Sequence, residues 1–189
     1  MKWTRRRLLR TGGAVAGIAA AGLSTRPLFA AEARRKTPAA TARRISLRNL
    51  HTDEHLELEF FRGDAYVPDS LAALQVLLRD FRNGEQHPID PRLMDYLYDV
   101  AGHGGVDPVF SVISGYRSPQ TNALLHERSS GVARHSLHLE GRAIDVRLAG
   151  VDCAHLAGRA LDLTRGGVGY YRRSDFVHLD TGAFRTWKG

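Results

Sequence analysis

Two short stretches limit the possible folds of this 189-residue chain more than any other. Along Arg142–Leu148, alternation sets Ile144, Val146 and Leu148 on one side of an extended strand and Ala143, Asp145 and Arg147 on the other. Along Phe176–Asp180, Val177 and Leu179 share one side while Phe176, His178 and Asp180 share the opposite one. Each strand has an apolar side to bury and carries an acid or an imidazole on the other. Paired as antiparallel neighbours, they would hold Asp145 and His178 over one cleft. Six residues separate His138 from Asp145, too many for a single helical turn, so His138 fits a loop that leads into the first strand.

Two imidazoles and a carboxylate suit zinc, and three protein ligands leave a fourth position for water, as a catalytic site requires. Two neutral histidines and one carboxylate leave a net charge of about +1 on such a centre, enough to acidify a water and polarise an amide carbonyl. Hydrolysis also needs a proton acceptor, and Asp175 and Glu140 are the candidates. Asp175 lies three positions before His178 and would face the other way in an ideal strand, unless it belongs to a turn at Ser174. Spacing alone leaves the choice open.

The rest of the chain reads as one α+β domain from Ile45 to Gly189: a small antiparallel sheet carrying the site, with three or four helices packed behind it. Ile45–Phe61 reads as a hairpin turning at Thr52-Asp53-Glu54. A helix capped by Asp69 or Ser70 presents Leu71, Leu74, Leu77, Leu78 and Phe81, and a second starts at Asp90-Pro91 and ends in the glycines around His103. Val109–Ile113 reads as a buried strand delivering Ser114-Gly115-Tyr116-Arg117, and a helix begins at Ser118-Pro119. Between strand and helix, Arg117 is a candidate for holding a carboxylate or a developing oxyanion. Ser129–His135 is a polar loop, the helix from Asp152 to Leu163 buries Cys153, and Gly166–Tyr170 reads as a turn entering an edge strand.

The amino terminus is set apart as targeting sequence. Residues 1–33 combine adjacent arginines, Arg5-Arg6-Arg7, with a weakly apolar Gly/Ala stretch and small residues at Ala30-Ala31, the pattern of a twin-arginine export signal. Residues 34–44 read as a basic linker. These two segments each contribute +5 to the chain's net +7, so the charge from Ile45 onward is −3, which argues against nucleic-acid binding by the folded domain. One cysteine permits no internal disulfide. A monomer without a membrane span after leader removal, working in the periplasm or cell envelope, is the expectation.

Ser136-x-His138-x-x-Gly141-x-Ala143-x-Asp145 followed by Asp175-x-x-His178 resembles the D-alanyl-D-alanine metallopeptidases, including VanX-type dipeptidases, and more distantly the lysostaphin and hedgehog folds. With Ser114-Gly115-Tyr116-Arg117-Ser118 and the closing His178-Leu179-Asp180-Thr181-Gly182 and Trp187, the likeness is closer to the YcbK-like murein endopeptidases. The resemblance implies a single zinc ion on His138, Asp145 and His178, and Asp175 as general base. It implies Arg117 steadying the carbonyl oxygen or a substrate carboxylate, and substrate contacts from Ser136, Tyr116 and His135. The implied reaction is hydrolysis of peptidoglycan stem-peptide cross-links. Rival readings are a D,D- or L,D-carboxypeptidase or dipeptidase on the same substrate, and a non-catalytic zinc-containing wall-binding module in which His135 closes the metal off.

Overall fold

The structure, a computed structural model, describes residues 42–102, 108–129 and 131–189. The leader, the linker up to Thr41 and His103 lie outside the described residues. Strand β1, Ala42–Asn49, includes three residues expected in the linker, Ala42, Arg43 and Arg44. It forms the expected hairpin with β2, His55–Arg62, and β3, Ala65–Tyr66, adds to the far edge.

Helix α1, Pro68–Leu77, is not capped by Asp69 or Ser70. Pro68 occupies its first turn, where a missing N–H costs nothing, and the Ser70 hydroxyl donates to Glu59 O at 2.8 Å. Helix α2 spans Arg92–Ala101, and Asp90 accepts from the Arg92 N–H at 3.0 Å. Strand β4, Val109–Ser114, leads to α3, Pro119–Arg128, whose cap is Ser118. A short 3-10 helix, Leu137–Glu140, precedes β5, Ala143–Leu148. Helix α4, Cys153–Leu163, and strands β6, Gly167–Tyr171, β7, Phe176–Asp180, and β8, Arg185–Lys188, complete the domain.

The fold is α+β, but its sheet is larger than expected and not purely antiparallel. Eight strands run in the order β3-β2-β1-β4-β5-β7-β6-β8, with β1 parallel to β4 and β6 parallel to β8. Strand β6, expected at an edge, lies inside the sheet because the last four-residue strand covers it. One face of the sheet is core: Leu47, Phe60, Phe110, Val112, Ile144, Val146, Val177 and Leu179 are buried against Leu74 and Leu78, Leu93 and Leu97, and Leu156 and Ala160. Burial on that face is the main stabilising term, about 1.5–3 kcal/mol for each large aliphatic side chain. Cys153 belongs to this core, where burial pushes its thiol up to about 11. Among the described residues, no helix is long and apolar enough to cross a membrane.

Candidate metal centre and its cleft

The face of the sheet turned away from α1, α2 and α4 carries the site. Asp145 on β5 and His178 on β7 are directly opposed partners in the antiparallel ladder. Next to them in the same cross-sheet row lie Ser114 on β4, Gly169 on β6 and Trp187 on β8. The third donor, His138, comes from the 3-10 helix, which Ser136 caps by accepting from the His138 N–H at 3.3 Å. Gly141 ends that helix at φ 63°, and an added Cβ there would overlap the Pro88 carbonyl oxygen, so only glycine serves this turn.

His138, Asp145 and His178 are all buried. His138 Nε2 lies 3.2 Å from His178 Nδ1 and 3.3 Å from Asp145 Oδ1, and Asp145 Oδ1 is 2.9 Å from His178 Nδ1. Tetrahedral zinc bonds of about 2.0–2.1 Å place donor atoms about 3.3–3.4 Å apart, so the triangle needs only a few tenths of an ångström to accept the ion. The outward nitrogens fix the tautomers. His138 Nδ1 donates to Gly115 O at 2.6 Å, and His178 Nε2 donates to Asp180 Oδ2 at 3.0 Å. The inner nitrogens therefore turn lone pairs toward each other and toward a carboxylate oxygen, an arrangement that a cation or a proton must neutralise.

The charges around the triangle support it. Arg117 Nη2 donates to Asp145 Oδ2 at 2.7 Å, leaving Oδ1 for the centre, and its Nε donates to Ser114 Oγ at 3.0 Å. Asp180, fully buried, accepts from Arg185 Nη1 at 3.0 Å and Nη2 at 2.7 Å and from the Gly167 and Gly182 N–H groups. Burial pushes the His138 imidazole down to about 4. Burial also opposes charge on Asp145, but the His138 and His178 rings hold its carboxyl well below the usual range. For His178, burial is outweighed by the hydrogen bonds to Asp145 and Asp180, and its pKa is raised.

The centre opens into a cleft of ≈ 340 Å³. Arg117, His135 and Ser136 line it; all three are substrate-side candidates from the resemblance. Tyr116, expected there too, points elsewhere: it is buried, donates its hydroxyl to Glu85 at 2.7 Å and stacks on His87 with ring centroids 4.8 Å apart. It neighbours Arg117 in sequence, and the extended chain at that point sends the two side chains different ways. Asp175 also lies outside the lining. Its carboxylate is 3.4 Å from Arg147, and it neighbours the Cys153 thiol. Its φ of 51° places it in the turn before β7 rather than in the strand. Glu140 is exposed and paired with Arg142 at 2.9 Å.

Sequence reasoning missed two contributors. Asp80, fully buried, accepts from the Ser118 N–H at 3.0 Å and hydroxyl at 2.8 Å, fixing the segment that carries Arg117. The aromatic side of the cleft, Tyr171, Phe176 and Trp187, was also missed; of these only Trp187 figured in a motif, with no role assigned to it.

A family model for peptidoglycan L,D-endopeptidase MepK matches residues 37–187. Peptidoglycan L,D-endopeptidase MepK of Escherichia coli (strain K12) is 43% identical over 183 residues, covering 97% of this chain and 96% of the relative. The protein of the same name from Shigella flexneri matches to the same extent. A probable peptidoglycan L,D-endopeptidase MepK of Haemophilus influenzae is 41% identical over 146 residues, 77% of this chain and 78% of its own. No solved structure gives a significant match.

Proposed function

The chain belongs to the peptidoglycan L,D-endopeptidase MepK family, and we propose that it is an exported zinc peptidase cutting stem-peptide cross-links between an L- and a D-centre. The observation that carries this reading is the triangle of His138 Nε2, Asp145 Oδ1 and His178 Nδ1, whose outward partners are all engaged and whose open side faces a cleft. Three protein donors and an open side describe a catalytic rather than a structural zinc site. A zinc ion held there would supply Lewis acidity, polarising the scissile carbonyl and lowering the pKa of a water.

The protein's own groups supply the rest. Asp180 and Gly115 O hold the two imidazoles in the tautomers and orientations that a metal needs. Arg117 fixes Asp145 and contributes positive charge where negative charge develops on the substrate oxygen. Ser136 spends its acceptor on the helix cap and keeps its O–H for substrate. The proton acceptor assigned by resemblance, Asp175, would have to leave Arg147 to act. Apart from the donors and the two arginines, the titratable side chains lining the cleft are His135 and Tyr171. Imidazole is the better proton carrier, so His135 takes that role in this reading. Export by the twin-arginine route, with residues 1–33 as leader, would deliver the folded domain to the periplasm as a monomer.

Digestion of defined cross-linked muropeptides with mass analysis tests the assignment. The expected products are the two halves of a cross-link, from a reaction that stops when a chelator is added. Release of single terminal amino acids would instead make the protein a carboxypeptidase. Binding to sacculi with no soluble product would make it a wall-binding module.

A further inference from the structure

One side of the cleft is a wall of three half-buried aromatic rings, Tyr171, Phe176 and Trp187. The Trp187 ring centroid lies 5.1 Å from that of the His178 imidazole, at a tilt of 53°. The indole reaches this place by lying across Gly169, where an added Cβ would sit 2.5 Å from Cε2 and 2.7 Å from Nε1. Such distances are well inside van der Waals contact. Indole Nε1 donates to the Tyr171 hydroxyl at 3.0 Å. Tyr171 stacks on Phe176 with centroids 4.5 Å apart and planes within 15°. The Arg185 guanidinium sits 5.1 Å from the Trp187 ring centroid while it pairs with Asp180. The rings are thus fixed relative to the metal donors and stay half-exposed along one side of the cleft.

Resting on the peptidase reading above, we infer that Trp187, with Tyr171 and Phe176, is a specificity-determining wall for the aliphatic side chain of the stem-peptide residue next to the scissile bond. Proximity selects this occupant. An extended peptide advances about 3.3 Å per residue, so a ring beside His178 meets the residue adjoining the cut, not a sugar farther along the stem. Chemistry selects it as well, because flat aromatic faces favour methylene groups. An unbranched aliphatic side chain offers several in a row.

The test uses zinc-loaded full-length protein and two matched cross-linked muropeptides. One carries a residue with a long unbranched side chain beside the scissile bond, the other an analogue with that chain shortened by two methylenes. The wild-type protein should favour the longer chain by about tenfold or more in kcat/KM, since one methylene in an apolar site commonly discriminates at least tenfold. In Trp187→Ala the preference should fall to about one, with one zinc per chain retained. Gly169→Ala, which displaces the indole without removing it, should act in the same direction and serves if the first variant fails to fold. Wild-type indifference to chain length overturns the inference, as do folded variants that keep the wild-type ratio. No product from either substrate with zinc-loaded wild-type protein would instead count against the peptidase reading, and the wall would fall with it.

Discussion

At the scale of single residues, the site depends on which nitrogen of each imidazole carries hydrogen. Asp180 sets this for His178 and is itself held by Arg185 and two backbone N–H groups. Partners of this kind typically contribute about 10–100-fold to metal affinity. Asp180→Ala should therefore weaken zinc binding by about that factor in competition with a chromophoric chelator, while the donor triad stays intact. Proton competition gives a second test. In the metal-free protein His178 has a raised pKa, so below that value it holds a proton that a cation must displace. Zinc affinity should fall as the pH drops through this range, by up to about tenfold per unit, and uptake at pH 6 should release about one proton. His138, pushed down to about 4, adds no competition until far more acidic conditions. Calorimetry in buffers of different ionisation enthalpy reads the proton directly, and uptake without proton release would refute the arrangement. The acceptor role separates just as plainly: His135→Gln should lower kcat by about 10²-fold or more with zinc retained, whereas Asp175→Asn should stay within about twofold of the parent.

At the scale of elements, the turn after β4 and the 3-10 helix are held from below by the segment between α1 and α2. Asp80 ties that segment to Ser118, and Asp90 N donates to Gly141 O at 2.9 Å. Asp80→Ala would leave buried donors at Ser118 without a partner, which costs about 1–3 kcal/mol and should lower the melting temperature by several degrees. Burial works against charge on Asp80, but bonds from Thr121, Ser118 and Arg82 outweigh it and hold its pKa below the usual value. Its contribution is thus present above the unfolded carboxyl's pKa and is lost as pH falls through the folded one, so the variant and parent should converge in stability at strongly acid pH. These elements were legible in the sequence to different depths. Alternation in β5 and β7 reported which side chains share a face, so Asp145 and His178 could be placed together from pattern alone. The parallel pairings of β1 with β4 and of β6 with β8 left no such trace, because pairing across many residues has no local period. Strand β8 was missed since Arg185-Thr186-Trp187-Lys188 has one apolar residue and no alternation. Asp80 was missed because an acid after a helix looks the same in sequence whether solvated or buried.

At the scale of the whole molecule, helices α1, α2 and α4 stabilise one face of the sheet and leave the other to chemistry, with three buried donors gathered from two strands and a 3-10 helix. A cation binding only the native state stabilises it by RT ln(1 + [L]/Kd), about 2.7 kcal/mol at a hundredfold excess over Kd. Chelation should therefore lower the melting temperature, and one equivalent of zinc should restore it. The most direct measurement is turnover of a defined cross-linked muropeptide by purified protein in three states: zinc-loaded, stripped, and stripped then given one equivalent of zinc. The account predicts cleavage, then none, then recovery in proportion to the metal bound, with no recovery in His138→Ala. Stripped protein that cuts as fast as the loaded form would contradict it.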